Sequence, residues 1–203
     1  MRALRKRFDV RADEDVAEGW EDNWRSFHHG DVVGRFWIGP PWEEPPAGVE
    51  AVVIDPGRAF GTGAHPTTRL TLALLQEQQP GGLLDVGCGS GVLSIAAAKL
   101  GFAPVLAVDN DPDAAEVTRE NAHANGVELD VRVCDALADE IPHTGLAVAN
   151  VALDVVEALL ARAPGNRVIT SGYLDRDEPR VTGWQSIDRR TDGGWAADLV
   201  ERA

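Results

Sequence analysis

Cysteine is scarce in this sequence, which has only Cys88 and Cys134 among 203 residues. The two lie far apart in the chain, and neither belongs to a Cys-x-x-Cys pair. The five histidines are scattered and add no spacing typical of zinc ligands. We therefore expect reduced thiols and no bound metal.

Long apolar runs are also missing, since no stretch reaches the roughly 18 residues that suggest a membrane-spanning helix. Met1 leads into the basic residues Arg2, Arg5, Lys6 and Arg7 without the apolar segment of a secretory signal. These features predict a cytoplasmic protein with no membrane partner.

Basic residues are outnumbered, with 19 Lys and Arg against 33 Asp and Glu and a net charge of −14. Nucleic-acid binding draws much of its affinity from contacts between basic side chains and phosphates. The composition therefore argues against direct nucleic-acid binding and favours basic or neutral partners, although the same charge would also serve solubility.

The length suits one α/β domain with a small appendage. We assign residues 1–48 to an N-terminal appendage or linker and residues 49–203 to the main domain. Residues 1–12 are basic and form either a solvated tail or a contact for an acidic partner. The appendage also holds a predicted helix, Glu14–Phe27, and a predicted strand, Val32–Ile38. The apolar stripe of that helix comprises Val16, Trp20, Trp24 and Phe27.

From residue 50 onward, apolar strands alternate with amphipathic helices. The predicted strands are Glu50–Asp55, Leu83–Val86, Pro104–Val108, Glu128–Val133, Gly145–Ala149, Asn166–Ser171, Trp184–Arg190 and Trp195–Glu201. The predicted helices are Thr67–Gln78, Val92–Leu100, Pro112–Asn125, Asp154–Arg162 and a short one near Asp177–Thr182. From Leu83 onward this alternation predicts a doubly wound, mostly parallel, seven-stranded Rossmann-like sheet that ends in an antiparallel edge hairpin.

The most informative stretch is Leu83–Gly91, an apolar strand followed by Gly-Cys-Gly-Ser-Gly. Gly87, Gly89 and Gly91 permit positive φ and a close approach of the backbone to a ligand. Ser90 is placed to cap the helix that follows. The alternative is that these glycines serve only the turn from strand to helix.

The residues around the glycines indicate which ligand. A dinucleotide site needs Gly-x-Gly-x-x-Gly, whereas the sixth position here is Val92. Asp85 stands two residues before the first glycine, where a carboxylate would repel a pyrophosphate but could pair with a cationic amino group. Asp109 follows the glycines by about 20 residues, where a carboxylate can hold a ribose diol. With Gly87 and Gly89, these acids indicate an S-adenosylmethionine site.

Residues 55–68 form a segment rich in glycine, proline and threonine that cannot be regular structure. Pro66 suits the first turn of the following helix, whose N-terminus could face a ligand. We expect Phe60 and Thr62 to contact the cofactor and His65 to brace the segment through its ring nitrogens. A tight structural loop is the alternative.

Ligands of such folds gather at the strand C-termini, where this prediction places Asp85, Asp109, Asp135 and Asn150. We expect the side chains of Asp135 and Asn150 to contact the cofactor. Asn150 is also the candidate catalytic residue, because its side-chain carbonyl could orient an acceptor amine. Asp135 could instead cap a helix, and Asn150 could be a simple turn residue.

Three runs and one asparagine carry a resemblance to a known family: Asp55-Pro-Gly-Arg-Ala-Phe-Gly-Thr-Gly-Ala-His-Pro-Thr-Thr68, Asp85-Val-Gly-Cys-Gly-Ser-Gly91, Val108-Asp-Asn-Asp-Pro112 and Asn150. Over roughly residues 20–203 the chain resembles the PrmA family, methyltransferases of the bacterial large-subunit ribosomal protein eleven. The resemblance implies a class I S-adenosylmethionine-dependent methyltransferase that modifies lysine and N-terminal amines of a ribosomal protein. It also implies cofactor contacts at Thr68, Gly87, Asp109 and Asn150.

Two features depart from the family pattern. The family carries a separate N-terminal α/β substrate-recognition domain, whereas fewer than 50 residues precede the catalytic region here, so we expect a truncated recognition domain. The family's Asn-Ile-Leu-Ala is here Asn150-Val-Ala-Leu153, which changes the wall beside the acceptor.

The expected chemistry is direct transfer of a sulfonium methyl group to a neutral amine, which needs alignment more than a strong base. The alternatives are methylation of another protein lysine or of a small amine, and a non-catalytic cofactor-binding or ribosome-associated module. A pyridine-nucleotide oxidoreductase is disfavoured by the missing sixth-place glycine. Nucleic-acid methylation is disfavoured because no Pro-Pro-aromatic run follows Asn150.

Overall fold

The computed structural model describes residues 29–55 and 63–203. The predicted helix Glu14–Phe27 and the predicted cofactor contacts Phe60 and Thr62 lie outside these ranges. They therefore stay predictions.

The described residues contain a small sheet, a large sheet and the helices that cover the large one. The small sheet has the strands β1 (Asp31–Val33), β2 (Phe36–Gly39) and β3 (Glu50–Val53). The large sheet has β4 (Leu83–Val86), β5 (Val105–Asp109), β6 (Asp130–Val133), β7 (Thr144–Asn150), β8 (Gly165–Leu174), β9 (Trp184–Asp192) and β10 (Trp195–Arg202). The helices are α1 (Pro66–Leu75), α2 (Val92–Lys99), α3 (Pro112–Ala124) and α4 (Leu153–Ala161).

The large sheet has seven strands in the order β6-β5-β4-β7-β8-β10-β9. Strands β4 to β8 are parallel, and β10 runs antiparallel to both of its neighbours. The prediction of a doubly wound sheet with an antiparallel edge hairpin is confirmed. The strand order reverses direction between β4 and β7, and such a reversal opens a crevice at the carboxyl ends of the strands.

The hydrophobic core lies on both faces of this sheet, because successive residues of a strand point to opposite sides. Every residue of β4 is buried, as expected of a parallel strand covered on both faces. Leu83 packs into one cluster with residues of α1, α2 and α3, whereas Leu84 packs into a second cluster with residues of α4. Asp85 alternates with Leu84 and therefore lies on the α2 side.

Two predicted elements are wrong. The predicted strand Val32–Ile38 is a hairpin, because Gly34 takes a φ of +60° and turns the chain back after three residues of β1. Asp177–Thr182 is not helical. The carbonyl of Asp177 accepts a hydrogen bond of 2.6 Å from the guanidinium of Arg189, so a tertiary contact uses an acceptor that a helix would use internally.

The small sheet crosses the predicted domain boundary, since β2 pairs in parallel with β3 on the other side of residue 48. Side chains at two helix ends hold this sheet against the main domain. Gln76 accepts a hydrogen bond of 2.9 Å from the backbone of Arg35, and Asn125 bonds both backbone groups of Val53. The division of the chain at residue 48 stays a prediction. No helix in the described ranges is both long and apolar enough to cross a membrane.

Candidate functional site

The turn between β4 and α2 depends on its glycines. Gly87, Gly89 and Gly91 have φ values of +73°, +54° and +82°, a region that L side chains rarely adopt. A Cβ on Gly87 would lie 2.5 Å from a methyl carbon of Val151, and one on Gly91 would lie 2.9 Å from a methyl carbon of Thr118. The turn therefore requires glycine for both conformation and space.

The predicted Ser90 cap of the following helix is wrong. Gly91 is the N-cap of α2, and no side chain caps this helix. The turn is closed instead by a backbone hydrogen bond of 2.8 Å from Gly91 N–H to the carbonyl of Cys88. The carbonyl of Ser90 accepts a hydrogen bond of 2.9 Å from the side-chain amide of Asn121.

Asp109 links the end of β5 to the glycine-rich turn. Its Oδ2 accepts a hydrogen bond of 3.0 Å from Gly89 N–H, and its Oδ1 accepts one of 3.0 Å from Asp111 N–H. The carboxylate is thus fixed at the strand end, where it faces the crevice of the reversed strand order.

A cleft of about 420 Å³ opens at the carboxyl ends of β4, β5, β6 and β7. This volume lies in the range of roughly 300–1,000 Å³ that is typical of small-molecule sites. The cleft brings together six of the sequence-predicted site residues: Thr68, Gly87, Gly89, Asp109, Asp135 and Asn150. They come from five separate regions of the chain.

Asp85 is not among the residues that line this cleft. Its carboxylate is fully buried, and its Oδ2 accepts a hydrogen bond of 2.6 Å from Ser94 Oγ. Its Oδ1 is buried without a hydrogen-bond partner in the described structure. Burial raises the pKa of Asp85 to about 6 against the lowering effect of the Ser94 bond, and the charge of Asp109 raises it further. An orphaned carboxylate oxygen of this kind suits a cationic ligand group.

Thr68 and Asn150 meet in one wall of the cleft. Asn150 ends β7, and its Nδ2 donates a hydrogen bond of 3.4 Å to Oγ1 of Thr68, which is buried in the first turn of α1. The contact joins the end of the predicted loop to the end of a central strand. It also turns the amide nitrogen of Asn150 toward Thr68.

His65 braces the start of α1, as predicted. Its Nδ1 accepts hydrogen bonds from Thr67 Oγ1 at 2.7 Å and Thr67 N–H at 3.3 Å, and Pro66 occupies the first turn. Its ring meets that of Trp195 edge-on at 4.8 Å. Burial lowers the pKa of His65, and the charge of Arg69 lowers it further, which suits an imidazole that accepts hydrogen bonds.

Asp135 serves a local turn and also lines the cleft. Its Oδ1 accepts a hydrogen bond of 2.9 Å from Leu137 N–H. The alternative of a helix cap is wrong, because residues 136–138 form a turn and not a helix. Because the residue also borders the cleft, its predicted contact with the cofactor stays a prediction.

Sequence reasoning missed Ser94, Thr118 and Asn121, which hold Asp85 and the glycine-rich turn in place. In each case the sequence contained a feature that could have identified the residue. Ser94 is a lone hydroxyl in an apolar helix, and the other two are polar residues buried on the inner face of α3. Val151 was missed because its role depends on a contact with Gly87, distant in sequence.

Both cysteines are free thiols that border the cleft. Burial raises the pKa of Cys88 to about 12, and the nearby charge of Asp85 adds to the increase. In the described ranges, no three His, Cys, Asp or Glu side chains converge as a metal site would require.

The family model described as "Ribosomal protein L11 methyltransferase (PrmA)" matches residues 2–202. The chain belongs to this family. Two PrmA-family relatives named ribosomal protein L11 methyltransferase show the extent of the match. The protein of Symbiobacterium thermophilum is 40% identical over 90% of this chain and 66% of its own length. That of Myxococcus xanthus is 36% identical over 94% of this chain and 71% of its own length. The chain thus spans about two thirds of the length of these PrmA-family relatives.

A solved structure supports the same PrmA-family assignment. The ribosomal protein L11 methylase from Lactobacillus delbrueckii subsp. bulgaricus superposes with a TM-score of 0.77 at 30% identity, covering 86% of this chain and 98% of that one. The fold is that of class I methyltransferases.

Proposed function

We propose that this chain is an S-adenosylmethionine-dependent N-methyltransferase that modifies a lysine or N-terminal amine of a ribosomal protein. The observation that carries the proposal is the cleft in which Thr68, Asn150, Gly87 and Asp109 converge. The names of the PrmA-family relatives support the acceptor. Because the chain spans about two thirds of their length, that acceptor is assigned to it as part of the proposal.

The residues of the cleft fit the proposed cofactor. Asp109 would hold the ribose hydroxyls while its Oδ2 keeps the bond to Gly89 N–H. Gly87 lets the turn pass against Val151, which also lines the cleft, at a distance that a Cβ would not allow. Asp135, which lines the cleft, would also contact the cofactor. Asp85 does not line the cleft, but its orphaned Oδ1 suits the amino group of the methionine part. Bound there, S-adenosylmethionine would supply a methyl group activated by its sulfonium charge.

Asn150 is the proposed catalytic residue because of how its amide is held. Thr68 takes the Nδ2 hydrogen bond, so Oδ1 is the atom placed to accept a hydrogen bond from the acceptor amine. Holding the amine in line with the reacting methyl group reduces the entropic cost of bringing the two reactants into the right orientation.

The acceptor amine must lose its proton before transfer. A lysine begins near pKa 10.4, and partial desolvation lowers that value. Val151 and Leu137 give the cleft an apolar lining beside Asn150 and Asp135, so the chain favours the neutral amine by burial rather than by a dedicated base.

The net charge of −14 fits a basic acceptor. Ribosomal proteins bind RNA and carry many basic side chains, and opposite charges speed encounter between proteins. Charge affects the rate of encounter, whereas the cleft determines which amine is methylated.

A labelling experiment tests the proposal. The protein is incubated with isotopically labelled S-adenosylmethionine and total ribosomal protein from the same source, and the labelled molecule is identified by mass spectrometry. We expect label on a lysine or N-terminal amine of one ribosomal protein, and about 10- to 100-fold slower labelling with the Asn150→Ala variant. Label on a nucleic acid or a metabolite alone would contradict the proposal.

The same experiment separates the remaining alternatives. A lysate that lacks ribosomes supplies other proteins and small amines as acceptors. Label on one of these molecules, and not on ribosomal proteins, would mean that this molecule and not a ribosomal protein is the acceptor. Cofactor binding without transfer to any acceptor would favour a non-catalytic module.

A further inference from the structure

The side chain of Asn121 contacts two separate segments of the candidate site. Asn121 lies in α3 and is 4% exposed. Its Oδ1 accepts a hydrogen bond of 3.2 Å from Asp55 N–H, and its Nδ2 donates one of 2.9 Å to the carbonyl of Ser90. Only a carboxamide offers a donor and an acceptor at this spacing, so the two contacts require Asn rather than Asp or a hydroxyl residue.

Both contacted residues occupy informative positions. Ser90 is part of the glycine-rich turn and lines the cleft. Asp55 opens the glycine- and threonine-rich run of the sequence that ends at Thr68, which also lines the cleft. One amide therefore connects the glycine-rich turn to the start of the sequence segment that ends at Thr68.

Neighbouring side chains on the same face of α3 show how specific this arrangement is. Thr118 donates a hydrogen bond of 3.0 Å to the carbonyl of Gly89 and so holds only the glycine-rich turn. Asn125 accepts a hydrogen bond of 2.9 Å from Val53 N–H and donates one of 2.6 Å to its carbonyl. Its Nδ2 also donates one of 2.8 Å to the carbonyl of Asn121 within α3, so outside its own helix it holds β3 and not the glycine-rich turn. Asn121 lies between them and holds both sides.

We propose that Asn121 is a positioning residue of the cofactor site, which fixes the glycine-rich turn relative to the start of the 55–68 segment. The inference rests on the proposed function, since it takes the cleft to bind S-adenosylmethionine. Asn121 does not line the cleft and acts through the carbonyl of Ser90. Its loss therefore weakens the cofactor site more than it weakens the fold.

The substitution Asn121→Asp breaks one of the two contacts. The remaining carboxylate oxygen still accepts from Asp55 N–H, whereas the oxygen that replaces Nδ2 repels the Ser90 carbonyl. We expect calorimetry to show about tenfold weaker binding of S-adenosylmethionine, the scale of one lost hydrogen bond. In the methyl-transfer assay, the cofactor KM should rise by the same factor, while kcat at saturating cofactor stays within about twofold of the unaltered protein.

Asn125→Ala is the matched control, because it removes a similar anchor from the same helix without touching the glycine-rich turn. It should lower the melting temperature while leaving cofactor affinity within about twofold. Asn121→Ala serves if the aspartate variant does not fold, and it is compared with Asn125→Ala at temperatures equally far below each melting temperature.

The outcomes separate this inference from the proposed function. If the unaltered protein does not bind S-adenosylmethionine, the proposed function fails. If it binds and the Asn121 variants match it in affinity, or lose no more than Asn125→Ala, the positioning role is overturned.

Discussion

Ser94 Oγ donates a hydrogen bond of 2.6 Å to Oδ2 of Asp85, while Oδ1 of the same carboxylate is buried without a partner in the described chain. A half-satisfied buried carboxylate is costly to a fold. Its pKa of about 6 reflects that cost, since burial disfavours the charged form. The charged form of Asp85 therefore costs the fold free energy at neutral pH, and we propose that a cationic ligand group offsets this cost.

The first prediction concerns the stability of the Asp85→Asn variant. The pKa of Asp85 rises from 3.8 to about 6 on folding, so the charged form destabilises the fold fully above pH 6, and this cost disappears as the pH falls below 4. Asn removes the charge and can still accept the Ser94 bond. Without ligand, the free energy of unfolding at pH 7.5 should rise by up to about 3 kcal/mol. The gain should vanish near pH 4.

Urea unfolding at pH 7.5 and pH 4 measures both values. Asp130→Asn is the control, because the hydrogen bond from Arg132 lowers the pKa of this exposed carboxyl. Loss of the Asp130 carboxylate should slightly destabilise the protein at pH 7.5. A less stable Asp85→Asn variant at pH 7.5 would show that the buried carboxylate has a structural partner.

The second prediction is the opposite effect of Asp85→Asn on binding. If Oδ1 of Asp85 meets the cationic amino group of the cofactor, a neutral amide loses a charged hydrogen bond of about 1.5–3 kcal/mol. We expect roughly 10- to 100-fold weaker binding of S-adenosylmethionine by calorimetry at pH 7.5. Analogues of S-adenosylmethionine that lack the amino group provide the control, since they should bind the unaltered protein and the Asp85→Asn variant with equal affinity. Equal loss with those analogues would remove the assigned contact.

The sequence predicted the central sheet and much of the cleft because those features follow from local rules. Alternating strands and helices fixed the sheet, and the carboxyl ends of parallel strands meet at one edge, which placed Asp109, Asp135 and Asn150 together. These local rules did not predict how deeply Asp85 is buried. It lies inside β4 rather than at its end, and its surroundings depend on Ser94 from the next helix.

Tertiary contacts account for the other differences. The segment predicted as a helix at Asp177–Thr182 gives a backbone acceptor to Arg189, whose other nitrogen bonds the buried Asp198 at 2.8 Å. This contact joins a loop residue to a strand residue 12 positions later, so no periodic pattern within the loop predicts it. The same reason hid Asn121, whose two partners lie in different segments.

The third prediction concerns Asp109. Asp109→Ala removes the acceptor of Gly89 N–H together with the proposed ribose contact, so cofactor affinity should fall by roughly 100-fold. Asp109→Asn keeps one acceptor oxygen and should lose less. Asp113→Ala, an acid in the first turn of α3, controls for the change in charge. Unchanged affinity of Asp109→Ala by calorimetry would remove the ribose assignment.

The fourth prediction concerns the pair of Asn150 and Thr68. Asn150→Ala should lower kcat by about 10- to 100-fold, a larger factor than its effect on cofactor affinity, because the amide orients the acceptor. Thr68→Val removes the partner that holds Nδ2 and should give a smaller loss. A double-mutant cycle tests whether Thr68 acts through Asn150. In that case Thr68→Val costs little when Asn150 is already Ala, whereas multiplying losses would mean independent roles.

The fifth prediction uses the cysteines to locate the cofactor without any acceptor. Cys134 borders the cleft and is partly exposed, whereas Cys88 is 6% exposed and has a pKa raised to about 12. Burial also raises the pKa of Cys134, with the charge of Asp139 adding to it, so alkylation should be slow at neutral pH and should become faster as the pH rises.

Mass spectrometry of peptides after timed alkylation should show Cys134 modified and Cys88 intact. Saturating S-adenosylmethionine should slow modification of Cys134 by about tenfold or more, since a bound nucleoside covers that side of the cleft. Cys134→Ser confirms the assignment of the modified peptide. Equal rates with and without the cofactor would place the nucleoside elsewhere, and that result would count against the cleft whichever amine the protein methylates.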